Sequence, residues 1–202
     1  MDVLNVTLRP RFSRVLTIAV WAIIAASLVS FAAVGDVEGL ARYAWPLLLV
    51  GFASWVAFWQ PRVTISPAGV EFVNLIRTRR ITWPAIARID TKYALTLYTD
   101  TTKYSAWAAP APGRHAAAKL SKTETVGLPE STYGAEDRIG LGDIPTSDSG
   151  LAGYYIRRQW EQYREAGLLD RVDGIGVVTT WHRATVIVLV ALLVATVLGI
   201  VL

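Results

Sequence analysis

The run VLTIAVWAIIAASLVSFAAV, residues 15–34, decides the architecture of this chain, because it extends for 20 residues without a charged side chain. A helix of about 20 apolar residues is what crossing the hydrocarbon core of a bilayer requires. Residues 184–202 form another run of this kind, and residues 43–59 form a shorter one with aromatic residues near both ends. Aromatic residues at those places suit the two membrane interfaces. The sequence therefore predicts three transmembrane helices.

Two of these runs have an alternative interpretation. Arg9, Arg11 and Arg14 precede the first run, as basic residues precede the apolar part of a cleaved signal peptide. A signal peptide has only about 7–15 apolar residues, however, and here a further apolar run follows closely. We therefore interpret the first run as a retained anchor. For the second run, which is the shortest, the alternative is a buried helix of a soluble core.

The distribution of basic residues predicts the orientation in the membrane. Residues 1–14 contain three Arg, and further Arg follow the second run, whereas residues 35–42 contain two acidic residues and one Arg. Basic residues accumulate on the cytoplasmic side of membrane proteins. We therefore predict a multi-pass plasma-membrane protein with residues 1–14 and 60–183 in the cytoplasm. The loop 35–42 and the end of the run 184–202 are then predicted to lie outside.

The composition narrows the chemistry that the chain can carry. It contains no Cys, which excludes disulfides, thiolate metal sites and cysteine nucleophiles. Only two His are present, so we expect neither a His-rich metal site nor a cofactor. The net charge of +4 is small, which argues against a nucleic-acid partner. Known catalytic motifs are absent from the sequence, and an enzyme stays a third hypothesis that requires a pocket with perturbed acidic residues.

The region between the second and third runs predicts a strand-rich domain. Short alternating segments separated by turns, over residues 62–107, are typical of an antiparallel meander. Residues 123–148 contain six acidic residues and one Arg, which predicts an exposed acidic loop. Residues 149–166 predict a helix with an apolar face. The predicted core residues are Trp83, Ile86, Ile89 and Trp160.

A set of residues in this region resembles the pattern of bacterial PH-like domains: Val63, Gly69-Val70, Arg80-Ile81, Trp83, Ile86 and Ile89. The apolar hairpin directly before it is similar to the actinobacterial membrane proteins of the low-molecular-weight protein antigen PH domain type. This resemblance implies a seven-stranded bent sheet or open barrel with a C-terminal helix across one end. The expected fold class is thus an α+β membrane protein, with three transmembrane helices and a PH-like antiparallel β-barrel or bent sheet closed by a helix.

A basic segment is the best candidate for a contact surface. Arg77, Arg79 and Arg80 are predicted to form a turn, and Arg88 extends the basic region. One interpretation is a solvated turn that helps to orient the protein; the other is attraction to anionic headgroups, worth about 1 kcal/mol per basic residue. Eukaryotic PH domains that bind inositol phosphates use basic residues flanking the first hairpin turn. Here that turn, residues 66–69, has none, so phosphoinositide recognition is not supported.

Two of the apolar runs carry small residues at a spacing of four. This spacing lets helix backbones approach closely in lipid. We expect these faces to pack, either within one chain or between chains. The residues are Ala22, Ala26 and Ser30 in the first run and Ala191, Ala195 and Gly199 in the third.

The functional prediction combines the membrane anchor with the central domain. We predict a non-catalytic membrane-anchored module for protein–protein assembly at the cytoplasmic face, such as a scaffold or an accessory subunit of a membrane complex. The expected partners are membrane lipids together with other membrane proteins or a second copy of the chain. The alternative is a sensor of anionic lipid surfaces that uses the basic turn.

Overall fold

The computed structural model describes residues 5–113, 129, 132, 141–169 and 176–201. The chain divides into two compact units, which are treated separately below. The helical unit comprises Arg11–Pro61, Leu75–Arg77 and Trp181–Leu202, and the sheet domain comprises Met1–Pro10, Arg62–Asn74 and Thr78–Thr180.

The described residues form four α-helices, of which three belong to the helical unit. Those three are long and apolar enough to cross a membrane, with mean hydropathies of 2.3, 1.3 and 2.9 in chain order. This finding confirms the three membrane-length helices of the predicted fold class. The helices are α1 (Arg11–Ala33), α2 (Val37–Ser54), α3 (Asp148–Glu165) and α4 (Arg183–Val201).

The second helix begins before the predicted run 43–59 and ends with it at Trp59. The predicted outer loop, residues 35–42, is mostly helical, because the Asp36 carboxylate accepts a hydrogen bond from the Gly39 N–H at 2.8 Å and caps α2. Hydropathy alone missed this start, since the first turns of α2 contain charged residues. At the other end the helix continues through a π-helical turn, in which the Gln60 N–H bonds to the Trp55 carbonyl at 3.0 Å.

Small residues allow close contacts between the helices. A Cβ atom added to Gly51 of α2 would lie 3.0 Å from Ile24 and 3.2 Å from Trp21 of α1. A Cβ atom added to Gly199 of α4 would lie 3.1 Å from Trp45 of α2. Both glycines therefore bring neighbouring backbones together, as small residues do in lipid-embedded helix pairs.

The sheet domain contains two antiparallel sheets. The larger has the strand order β1-β2-β3-β4-β8, and the smaller has the order β5-β6-β7. The register places Val63 opposite Phe72 and Val70 opposite Ile81, so apolar side chains of β2, β3 and β4 share the inner face. The strands are β1 (Val6–Leu8), β2 (Arg62–Ser66), β3 (Gly69–Val73), β4 (Arg77–Thr82), β5 (Arg88–Asp90), β6 (Ala94–Tyr98), β7 (Lys103–Pro110) and β8 (Val177–Trp181).

Two of the eight described strands lie outside the predicted strand region 62–107. β1 precedes α1 and pairs with β2, and β8 directly precedes α4 and pairs with β4. The family resemblance implied seven strands, and the barrel is not closed. Local sequence could not reveal these strands, because a three-residue segment and a segment beside a transmembrane helix carry no clear alternation. These two segments become strands because they pair with β2 and β4, which are distant in sequence or lie in another part of the fold.

The core of the sheet domain is formed by both sheets and by α3. Trp83 and Phe72 are fully buried at its centre, and Ile156 of α3 is buried against them. The mixed architecture and the antiparallel sheets confirm the predicted fold class. Of the predicted acidic loop, residues 123–148, the described part is residues 129, 132 and 141–148, with a short 3₁₀ turn at Leu141–Asp143.

Candidate functional site

The structure divides the predicted basic turn between the two faces of a strand. Residues 77–82 form β4, so the prediction of a turn is wrong; the turn lies at residues 74–76. Side chains alternate along a strand, which sends Arg79 and Arg80 to opposite faces. The Arg80 Nε donates to Glu71 at 2.5 Å, whereas the Arg79 guanidinium lies 4.7 Å from the centre of the Tyr104 ring.

The other two predicted contact residues also stack on aromatic rings. Arg88 of β5 lies 4.0 Å from the ring centre of Tyr98 on the neighbouring strand. Arg77 belongs to the helical unit and lies 5.5 Å from the ring centre of Trp181. Within the sheet domain, Arg79, Arg80 and Arg88 therefore make three different contacts.

The outer face of the larger sheet carries a groove of about 490 Å³. The Glu71–Arg80 ion pair lies in it, and Val178 of β8 contributes an exposed apolar side chain. An exposed ion pair of this kind contributes little to the free energy of unfolding. Because Glu71 neutralises Arg80, the groove carries no net charge from this pair. The groove is lined mainly by Ser66, Gly69, Glu71, Arg80, Thr82 and Val178.

Strand β8 is an edge of the larger sheet. The Thr82 N–H bonds to the Gly176 carbonyl at one end, and the His182 N–H bonds to the Ile76 carbonyl at the other. Hydrogen-bonding direction alternates along a strand, so the N–H and C=O groups of Val177, Thr179 and Trp181 point away from β4. Within the described residues no strand pairs with this side of β8.

Trp83 joins the turn between β2 and β3 to helix α3. Its indole N–H lies 3.1 Å from both the Ser66 and the Pro67 carbonyl oxygens, and its ring stacks on Tyr163 with 5.7 Å between ring centres. Of the other predicted core residues, Ile86 is buried, whereas Ile89 and Trp160 are partly buried and pack against the core.

A buried ion pair was missed by the sequence analysis. The Arg157 side chain is 4% exposed and donates to Asp143 at 2.6 Å, and its second terminal nitrogen lies 3.4 Å from the Ile89 carbonyl. Thr91 donates to the same carboxylate. The helical pattern places Arg157 beside the apolar face, with Arg158 and the other polar residues of α3, so no sequence signal distinguished it.

Asn74 was missed as well, although it connects the two sheets. Its amide nitrogen donates to the Ser105 carbonyl at 3.0 Å, and its amide oxygen accepts from the Trp107 N–H at 2.9 Å. A side-chain amide thus bonds to β7 as a neighbouring strand would, at the end of β3.

The small-residue faces differ in their surroundings. Ala195 and Gly199 of α4 are partly buried and line a groove together with Arg42 and Trp45 of α2. In contrast, Ala191 and the three predicted residues of α1 are exposed. Helix α1 packs instead through Thr17 and Ile24, which are both 3% exposed. The exposed residues of α1 are Ala22, Ala26 and Ser30.

A row of polar and aromatic side chains lies at one end of the helical unit, and we call it the junction row: Arg14, Trp59, Gln60, His182, Trp181 and Arg77. The Arg14 guanidinium lies 5.6 Å from the ring centre of Trp59, and Arg77 stacks on Trp181 as described above. The Gln60 amide nitrogen lies 2.7 Å from His182 Nδ1. That hydrogen bond connects the two Arg–Trp pairs.

The described residues give no indication of catalytic or metal chemistry. They contain no group of three or more His, Asp or Glu that could hold a metal ion. One carboxyl group is perturbed: partial burial raises the pKa of Asp148 above its ordinary value of 3.8. Asp148 is the first residue of α3, where capping by Ser147 already accounts for its position.

The comparisons with known proteins bear on the sheet domain. Residues 60–140 match the family model described as a bacterial PH domain. No curated protein and no solved structure matches the chain. PH domains are modules that bind proteins or lipids and are generally non-catalytic. The match does not cover the three apolar helices, so the similarity to actinobacterial membrane proteins stays a prediction. Residues 60–140, which begin after α2, are thus similar to bacterial PH domains.

Proposed function

We propose that this protein is a non-catalytic, membrane-anchored PH-like module that assembles with another membrane protein at the cytoplasmic face. The observation that carries this proposal is the edge strand β8, whose outer backbone groups face away from the sheet. Such an edge is a template for pairing with an extended segment of a partner. The exposed side chains along β8 are Val178, Thr179, Thr180 and Trp181.

The composition of β8 supports a protein partner. Its five residues are Val, Val, Thr, Thr and Trp, which favour strand pairing and carry no charge. Native proteins usually blunt an exposed edge with charges, Pro or a bulge. None of these devices occurs within β8. An edge that is left uncharged and regular is suited to main-chain recognition of an extended peptide.

The connectors between the sheets and the helices support a partner in the same membrane. Two residues separate β1 from α1, and one residue separates β8 from α4. Connectors this short limit how far the domain moves from the bilayer, which raises its effective concentration towards a neighbouring membrane protein. The basic residues near the same helix ends support a cytoplasmic location of the domain.

The alternative function, a lipid sensor, was predicted from basic residues that make other contacts in the sheet domain. Arg80 pairs with Glu71, and Arg79 and Arg88 stack on tyrosine rings. Arg79 and Arg80 lie on opposite faces of β4, so they do not form one basic surface for a headgroup. The turn between β2 and β3 contributes no basic residue either. The sheet domain therefore favours a protein over a lipid surface.

Site-specific photocrosslinking in the full-length chain tests the assembly proposal. A crosslinking amino acid at Thr179, on the open edge of β8, is expected to give a discrete adduct with a membrane protein. The matched position is Thr101, an exposed residue of the turn between β6 and β7. An adduct of twice the chain's mass would show a second copy as the partner. The absence of an adduct at Thr179, or the same adducts at both positions, would contradict the proposal.

A further inference from the structure

Charge is separated along the helical unit. Its three stretches contain two acidic residues, Asp36 and Glu38, which lie at the turn between α1 and α2. At the opposite helix ends lie Arg14 in the first turns of α1 and Arg183 at the start of α4. This end therefore carries basic side chains without a neighbouring acidic residue from its own unit.

The junction row gives this basic end a defined structure. Both of its arginines lie over tryptophan rings, at 5.6 Å for Arg14 and 5.5 Å for Arg77. A guanidinium group at this distance is attracted by the negative face of the ring, which keeps each arginine beside its indole. Each arginine keeps its positive charge there, which attracts an anionic headgroup.

The turn between β3 and β4 is held at this end of the helical unit. The Ile76 carbonyl accepts the His182 N–H at 2.8 Å, and His182 Nδ1 lies 3.4 Å from the Leu75 carbonyl. Both turn residues are apolar, and Ile76 is 37% exposed. An apolar turn followed directly by a stacked Arg77 is the composition of a segment that contacts a membrane interface.

We propose that the junction row binds the headgroup of an anionic phospholipid, with Arg14 and Arg77 supplying the positive charges that attract it. Trp59 and Trp181 place the row at the depth of the headgroups, because indole rings favour that layer. The starts of α1 and α4 add the partial positive charge of helix N-termini. This site lies in the helical unit and does not depend on the protein partner of the sheet domain.

The expected effect follows from the charge. Each basic residue near an anionic surface contributes about fivefold in binding, which is the tenfold-per-1.4 kcal/mol conversion applied to about 1 kcal/mol. Removing one arginine should weaken retention of an anionic lipid about fivefold, and removing both about 25-fold. The weakening should be greatest at low ionic strength, since salt screens exposed charges.

Native mass spectrometry of the full-length chain in detergent, titrated with phosphatidylglycerol or phosphatidylcholine, tests this site. The wild-type chain should retain phosphatidylglycerol preferentially, and the double variant Arg14→Gln, Arg77→Gln should lose that preference. The control is Arg88→Gln, because Arg88 also stacks on a ring but lies in the sheet domain. A control that loses the preference as fully as the double variant would overturn the proposal, as would equal retention of both lipids by the wild type.

A charge-conserving pair keeps the test valid if the glutamine pair fails to fold. The variant Arg14→Lys, Arg77→Lys retains both charges and should keep most of the preference for phosphatidylglycerol. If this pair loses the preference completely while its thermal unfolding is unchanged, retention does not follow charge and the proposal fails.

Discussion

The sheet domain and the helical unit use the same apolar residue types in opposite ways. In the sheet domain Val63 and Ile65 are fully buried, and each lies on the inner face of β2. In the helical unit α4 has no buried residue, and Ile187 is 66% exposed. The sheet domain excludes water with its own side chains, whereas the apolar surface of the helices is compatible with a surrounding of lipid. Apolar content alone therefore does not reveal where the core of this protein lies.

Arginine shows the same contrast between the two regions. In the sheet domain Arg157 is buried and bonds to Asp143. In the helical unit Arg77 lies over Trp181, an indole that is 53% exposed. A buried arginine stabilises one conformation, whereas the exposed arginine is the one that we propose attracts an anionic headgroup. The predictions below test this division, in order of decreasing effect.

The substitution Arg157→Ala should cause the largest loss of stability. It leaves the nearly buried Asp143 carboxylate without its cationic partner, with Thr91 still donating to it, and this costs about 3–5 kcal/mol in the free energy of unfolding. Thermal unfolding of the purified chain, followed by tryptophan fluorescence, measures the loss. Arg158→Ala on the exposed side of the same helix is the control and should change the transition little. An equal loss of stability in the two variants would show that the ion pair does not stabilise the sheet domain.

In the helical unit Gly51→Leu should weaken the contact between α1 and α2. The added side chain meets Ile24 and Trp21, and overpacking of this kind costs about 1–3 kcal/mol. Ala26→Leu, on the exposed face of α1, is the control and should leave the unfolding temperature in detergent unchanged. If Ala26→Leu alone alters the oligomeric state by size-exclusion chromatography, the small-residue face of α1 packs between chains.

A third substitution tests the hydrogen bonds of Trp83. Trp83→Phe keeps an aromatic ring in the core but leaves the Ser66 and Pro67 carbonyls without the indole N–H, which should cost about 1–2 kcal/mol. Urea unfolding followed by circular dichroism measures the change in midpoint. Trp107→Phe, at a 55% exposed side chain, should shift the midpoint much less. A larger shift for the exposed residue would contradict the assignment of Trp83 as the central core residue.

The smallest effect concerns the pH dependence of the sheet domain. The pKa of Asp148 is raised in the folded chain, so the stability that its neutral form gives is complete below pH 3.8 and is lost as the pH rises through the raised value. Asp148→Asn should therefore raise the unfolding temperature at pH 7, by only about 1–2 °C because the residue is only partly buried, and the gain should vanish at low pH. Asp100→Asn, in an exposed turn, is the control; a gain that grows towards low pH would contradict the sign.

Much of the fold could be predicted because its signals are local. The length of the apolar runs predicts the three helices directly, since crossing a bilayer requires a fixed length of apolar chain. Strands β2, β3 and β6 alternate clearly, and Trp83 lies within a pattern that resembles the PH family. The start of α2 was hidden because its capping residue Asp36 is followed by Glu38 and Arg42, which hydropathy counts as loop.

The candidate sites were less predictable, because they depend on pairing between distant segments. Three arginines within four residues suggested one patch, but strand geometry separates Arg79 from Arg80. Strand β8 and the junction row arise only when the segment before α4 meets β4 and the end of α2. The contact between Gln60 and His182 joins residues 122 positions apart, and no local pattern predicts it.

Single-cysteine labelling tests the central claim, which is that lipid surrounds the helical unit and that the sheet domain lies in the cytoplasm. The chain contains no Cys, so Thr101→Cys in the sheet domain and Val37→Cys at the turn between α1 and α2 each introduce one thiol. In intact cells a membrane-impermeant maleimide should label the cysteine at position 37 and should reach position 101 only after permeabilisation. Labelling of position 101 in intact cells, with position 37 protected until permeabilisation, would contradict the account.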